Sequence, residues 1–334
     1  MSLKLKLLTT GVAIAVALGI AAPPPSHAED PEIVTISGAG PQGRWFQEAS
    51  VYAKVLSEQI PDHTFNGVIG KGVSVGNLQR IAAGRIEAGR FYLFDFENMR
   101  DGVQEFADGG DYSNVNVWMK LGTHLFRVVA ETGINNFADL KGKTVAIGVK
   151  GSGDDTIAER ILAGYGVTAD NTDFQYVGRS DGQAALANGQ IDAIAYLYAR
   201  NNQGHLGPVF AARTIGEEVD FVEPDPARTE EFLASDDLFF LDEYGEPVFG
   251  RPDLKGIAVY QGMAIRADLS EDLVYEMTKA IYENWDQVLE NAPWWAEPGE
   301  ASLESAPAMM NVEYHPGAVR YYKEQGVWEK HHGS

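Results

Sequence analysis

Three arginines, Arg44, Arg179 and Arg200, fall at or just after predicted strand ends, the side of an open α/β sheet where ligands sit. A guanidinium at such a place presents a planar fork to a carboxylate. The contact is worth about 1.5–3 kcal/mol in a closed cleft, against about 1 for a neutral hydrogen bond. Two glycine-rich loops stand nearby. Gly38-Ala39-Gly40-Pro41-Gln42-Gly43 runs into Arg44-Trp45, and Gly148-Val149-Lys150-Gly151-Ser152-Gly153 runs into Asp154-Asp155-Thr156. Each loop opens a helix, so a ligand can approach backbone N–H groups that have no intrahelical partner, at the positive end of the helix dipole. Asp154 and Asp155 steady that dipole but compete with an anion. One of them would receive an amino group; otherwise both cap the helix and face water.

Other chemistry is less well supplied. Gly72-Val73-Ser74-Val75-Gly76 has the pattern of a nucleophile elbow, but His124, His205 and His315 have no companion motif, and Ser74 before Val75, Leu78 and Ile81 reads as an ordinary helix cap. Gly151-Ser152-Gly153 lacks the Lys-Ser/Thr of a nucleotide P-loop. No His/Asp/Glu group has metal-ligand spacing, and no cofactor is expected.

The elements that must position these residues come in two similar sets. Ala83-Gly84-Arg85-Ile86-Glu87-Ala88 and Asn188-Gly189-Gln190-Ile191-Asp192-Ala193 repeat one phrase: helix, glycine, strand. Upstream, Ile33–Ile36 and Thr144–Ile147 each lead through a glycine loop to a helix. The first lobe is expected to hold a helix over Arg44–Ile60, a strand over Thr64–Ile69, a helix from Ser74 and a strand over Ile86–Leu93. Val115–Ala130 alternates and breaks at Gly122, long enough to reach the second lobe. There the spacing predicts strand Thr144–Gly148, helix Asp154–Tyr165, strand Phe174–Val177 and the repeated helix and strand ending at Leu197. Glu217–Arg251 reads as acidic loops with a short helix near Thr229–Leu233. Gly256–Ile265 returns as a strand before a long helix over Leu269–Leu289. The expected fold is α/β and bilobal, with a cleft between two α/β lobes and a two-strand hinge where the chain crosses near 122–132 and 256–266. Lobe 1 is 29–130 plus 258–334, and lobe 2 is 131–257. The candidate ligand-binding set is Gly40, Gly43, Arg44, Trp45, Ser74, Tyr92, Ser152, Gly153, Asp154, Thr156, Arg179, Tyr198, Arg200 and Tyr260.

Met1–Ala28 has the form of a cleaved secretory leader: Lys4 and Lys6, an apolar run over Leu7–Ala22, and Ser26-His27-Ala28. The mature chain is expected in the periplasm, without a lipid anchor because cysteine is absent. Losing the two leader lysines takes the formal charge from -22 to -24, which argues against nucleic acid and anionic membrane surfaces as partners. With no disulfides, stability must come from full hydrophobic cores.

Over nearly the whole mature length the chain resembles the TAXI group of solute-binding proteins, receptors of one class of TRAP transporter. The likeness rests on Gly72–Leu78, Ala138–Lys143, Gly151–Gly153, Gly189–Ala193, Asp272–Ala280 and His315–Tyr322 taken together in this order. It implies a type II periplasmic-binding-protein fold that closes on a small carboxylate or amino-acid-like solute and delivers it to TRAP membrane subunits, working as a monomer. The chain departs from the family at the ligand loops. Arg44 stands where a small hydroxyl is usual, Trp45-Phe46 replace an aromatic pair, Tyr92 replaces an amide, and Ala199-Arg200-Asn201 replace Gly-Tyr-Pro. The ligand expected from these changes is an organic acid with an apolar or planar portion. A sensor presenting its solute to a membrane receptor, and an enzyme on the same fold, are the alternative functions.

Overall fold

The computed structural model describes residues 30–41, 43–199, 206–243, 254–296 and 301–333. The leader, Arg200 and the stretch 244–253 lie outside them. In chain order the elements are β1 (Ile33–Ser37), α1 (Arg44–Gln59), β2 (Thr64–Val68), α2 (Val73–Ala82), β3 (Ala88–Tyr92), α3 (Leu93–Asp101) and β4 (Val115–Glu131). The second lobe follows with β5 (Thr144–Ile147), α4 (Gly153–Gly164), β6 (Asp173–Tyr176), α5 (Arg179–Ala187), β7 (Ala193–Ala199), α6 (Gly207–Ala212), β8 (Val219–Val222), α7 (Pro226–Ser235) and β9 (Phe239–Glu243). The chain then returns through β10 (Lys255–Arg266), α8 (Glu271–Glu283), α9 (Trp285–Asn291) and α10 (Pro316–Glu324).

The strands run β2-β1-β3-β10-β4-β7-β5-β6, with β8 beside β4 and β9 beside β10. At each end a parallel trio is built from strand–helix–strand units, β2-β1-β3 and β7-β5-β6. Between them β4 and β10 pair antiparallel along their length. These two strands serve both lobes. In β4, Val115 to Leu121 enter the core shared by α1, α2, α8 and α10, whereas Phe126, Val128 and Ala130 enter a core around α4. In β10 the same change falls between Val259 and Met263. The hinge is therefore Gly122-Thr123-His124 opposite Gln261-Tyr260-Val259, where the ladder also slips register by one residue at Leu121. That slip is the physical form of the expected break at Gly122, for β4 itself continues unbroken for 17 residues.

The helical periodicity placed the cores well. Trp45, Ala49, Tyr52 and Leu56 on α1, Val75, Leu78 and Ile81 on α2, and Ile157, Ile161 and Leu162 on α4 are all buried. Four expectations differ in detail. Glu217–Arg251, expected as loops with a short helix, also holds β8 and β9, which pair with β4 and β10, and its helix α7 runs for ten residues. Leu269–Leu289 is two helices, because the Asn284 side chain donates back to the Ala280 carbonyl at 2.8 Å and breaks the ladder there. A helix, α3, begins directly after Tyr92 where no element was expected. Ser74 is not the cap of α2: the cap is Gly72, at φ 75, a left-handed turn that suits glycine.

Candidate functional site

Four of the loops that follow parallel strands face one another and enclose a cavity of about 630 Å³, within the range of ligand sites. Three helices start at its wall: α1 behind Gly43, α2 behind Gly72 and α5 behind Gly178. Among the described residues none of the three has a side-chain cap. The positive ends of these helices thus face the cavity without a side-chain cap, and the first two come from lobe 1 while the third comes from lobe 2. The fourth helix, α4, is different. Asp155 accepts from the Gly151 and Ser152 amides at 3.1 and 2.8 Å and closes a capping box with Ser152.

The two acids that the sequence left undecided therefore divide the work. Asp155 caps, and Asp154 lines the cavity and takes Arg179 Nη2 at 2.7 Å. Arg179 lies over the Tyr198 ring, its centre 5.4 Å away. Burial works against its charge, but Asp154, then Tyr92, outweighs this and holds the guanidinium above its ordinary value. Both of its hydrogen bonds, to Asp154 and to the Tyr92 hydroxyl at 3.4 Å, use Nη2. Its other two nitrogens make no hydrogen bond among the described residues, Nε being buried, and the side chain, 28% exposed, lines the cavity.

Tyr92 ties the two lobes together. Its hydroxyl lies 2.9 Å from His124 Nδ1 at the hinge and 3.4 Å from Asp154 Oδ1. Burial, then Asp154, raises the phenol well above its ordinary value, so it remains a neutral donor. His124 is pushed well below its ordinary value, by burial first and then by Arg179, Arg90, Arg44 and Arg127. An uncharged imidazole suits a wall that must not repel those arginines.

The lobe 1 wall is a stack of arginine and tryptophan. Arg90, fully buried, lies between the Trp45 and Trp295 rings at 4.8 and 5.4 Å and pairs with Glu48 and Gln261. Glu48 also accepts from Trp294 Nε1 at 2.9 Å, and Gln261 from Trp45 Nε1 at 3.2 Å. Arg44 covers the outer ring, 5.2 Å from Trp294. Each indole is fixed by a guanidinium on its face and, for Trp45 and Trp294, by an acceptor at its edge. A buried ion pair of this kind contributes little net stability, but it fixes geometry.

Of the sequence candidates, Gly40, Gly43, Arg44, Trp45, Tyr92, Ser152, Asp154 and Arg179 line the cavity together. Ser74 lies behind it, fully buried, its hydroxyl accepting from the Tyr92 amide at 2.9 Å. Gly153 and Thr156 sit at the seam between lobes rather than on the wall. Tyr198 stands behind Arg179 and receives a hydrogen bond from Gln183 at 3.0 Å. Tyr260 is not on the cavity wall; its ring lies tilted against Phe240, with 4.5 Å between centres. Arg200 lies outside the described residues.

Sequence reasoning missed Glu48 and Gln261, named His124 only as a histidine without a companion motif, and read Trp294-Trp295 as a docking patch or as packing against a neighbouring helix, not as cavity wall. Glu48 had a signal, since it stands one turn after Arg44 and Trp45 on the same face of α1. For Trp294-Trp295, in a 3-10 turn over Pro293–Ala296, sequence spacing said nothing about which surface they meet.

The same architecture is found in known proteins. XAC2383 from Xanthomonas citri, solved bound to ATP, aligns over 90% of this chain and 100% of its own with a TM-score of 0.54 and 9% identity. A putative periplasmic sulfonate-binding protein of a sulfonate ABC transporter, from Methylobacillus flagellatus, aligns over 81% and 71% with a TM-score of 0.47 and 17% identity. A TRAP periplasmic solute-binding protein from Roseobacter denitrificans, with bound β-D-glucuronate, aligns over 78% and 82% with a TM-score of 0.46 and 12% identity. At 9% identity the likeness to the first of these concerns the fold alone. The sequence itself is more specific: residues 36–326 match the model of one family, and with two α/β lobes closing on a loop-lined cavity, the chain belongs to the NMT1-like family.

Proposed function

We propose that this protein is an extracytoplasmic solute receptor of the TAXI type, which binds a small organic acid between its lobes and hands it to TRAP membrane subunits. The observation that carries this is the meeting of three uncapped helix N-termini, from both lobes, around one cavity beside the Arg179 guanidinium. Amides and a guanidinium gathered from two lobes form a site for an anion that bridges them. The Trp45, Trp294 and Trp295 rings give the remaining wall a flat apolar character, which favours a planar or apolar portion on the acid.

The contact residues proposed are Gly40, Gly43, Arg44, Trp45, Tyr92, Ser152, Asp154 and Arg179, with the tryptophan pair added. Lobe 1 is 29–130 plus 258–334 and lobe 2 is 131–257, and Met1–Ala28 directs export to the periplasm. Catalysis is not part of the proposal. Ser74 of the elbow-like motif is buried and engaged with the Tyr92 amide, and His124 bonds to Tyr92.

A thermal-shift panel of dicarboxylates, amino acids, 2-oxoacids and aromatic monocarboxylates tests this directly. A true ligand at about a hundred times its Kd stabilises the folded state by about 2.7 kcal/mol, and the acid that does so is expected to carry a ring or alkyl portion. If no acid in the panel moves the melting temperature, or if the acid that does is turned over, the proposal fails.

A further inference from the structure

The lobes also meet beside the cavity, at a seam that contains a carboxyl. Asp95, in the first turn of α3 in lobe 1, has no exposed surface. Its Oδ1 accepts from Thr156 Oγ1 of α4 in lobe 2 at 3.0 Å, while Oδ2 has no hydrogen-bond partner among the described residues. The first residue of α4, Gly153, packs against Oδ2, Ser74 and the Tyr92 ring. A buried carboxylate oxygen without a donor is costly. The neighbouring Ser74 hydroxyl, which accepts from the Tyr92 amide, makes no hydrogen bond to Oδ2 and offsets its charge only in part, whereas a proton on Oδ2 removes that charge.

The titratable groups facing Asp95 do not offset its charge. They are Asp154 and Asp155 from α4 and the Tyr92 phenol from β3, with Glu105 near Gly151 at the edge of the seam. Burial, opposed in part by the Ser74 and Thr156 hydroxyls and reinforced by Asp154 and Asp155, pushes the Asp95 carboxyl up to about 7.

We propose that closing the cleft takes up a proton at Asp95, so that the closed state, and with it ligand retention, weakens as pH rises. In the open cleft the carboxyl faces water and keeps ordinary acidity. Below the ordinary carboxylate range both states are protonated and Asp95 has no effect on closure. From there up to about pH 7 closure binds a proton, and each unit of rising pH costs the closed state about tenfold; above about pH 7 the loss is complete. The proposal depends on the receptor reading only for its hinge.

The test needs no ligand, so its failure is separate from failure of the ligand panel. Because the chain has no cysteine, Lys54→Cys on α1 and Glu230→Cys on α7, both exposed, can be spin-labelled to report the distance between lobes. The closed-to-open ratio is expected to fall about tenfold between about pH 6 and about pH 8. Asp95→Asn in the same background should hold the low-pH ratio throughout. Asp155→Asn, which removes a second carboxyl raised to about 6 that also helps to raise Asp95, should keep a fall with pH but move it to lower pH. A ratio that does not change with pH, an Asp95→Asn protein that follows the wild type, or loss of the slope in Asp155→Asn would overturn it.

Discussion

Gly153→Ala is expected to lower affinity for the ligand more than tenfold while leaving both lobes folded. The first residue of α4 meets lobe 1 so closely that an added Cβ would stand 2.4 Å from Asp95 Oδ2, 2.8 Å from Ser74 Cβ and 3.0 Å from Tyr92 Cδ2. Those atoms belong to three buried residues with little room to yield. The backbone of Gly153 is not in the left-handed region, so alanine suits the helix start itself, and lobe 2 should keep its stability or gain a few tenths of a kcal/mol. The substitution therefore acts on closure and not on folding. Calorimetric titration with the acid found in the panel, beside a thermal melt, separates the two. Unchanged affinity in a folded variant would mean that the lobes do not need this contact to hold ligand.

Arg179→Met should weaken binding by about 1.5–3 kcal/mol, roughly ten- to more than a hundredfold, by removing the one lobe 2 guanidinium that lines the cavity among the described residues. It also leaves Asp154 buried beside the ligand without its cation, so the single variant loses stability as well. Arg179→Met with Asp154→Asn should recover the stability but not the affinity. Arg179→Lys should recover little affinity, since an ammonium lacks the planar fork. Wild-type affinity in the double variant would move the anion contact to Arg44 and the helix amides.

The sequence carried the architecture because architecture is written in periodicity. The repeated Gly-x-Ile-acid-Ala phrase fell before β3 and β7, equivalent strands in the two lobes, and the alternating runs of β4 and β10 became the hinge. Loop residues next to those strands were also legible, which is why Arg44, Tyr92, Asp154 and Arg179 meet in one cavity. What spacing cannot carry is contact between distant segments. Trp294 reaches Glu48 across 246 positions and Gln261 reaches Trp45 across 216, and nothing local to either residue marks the partner. Local rules also mislead where tertiary demand is stronger. Ser74 has the composition of a cap, yet its hydroxyl is spent on the Tyr92 amide, and the cap falls to Gly72.

Small-angle scattering on the wild-type protein, with and without a saturating concentration of the acid found in the panel, tests the central claim most directly. A ligand held by amides and arginines of both lobes selects the state in which the lobes meet, so the radius of gyration should fall on binding and the Gly153→Ala protein should stay at the larger value. An unchanged radius in the wild type, measured from an open ligand-free state, would contradict closure around the ligand.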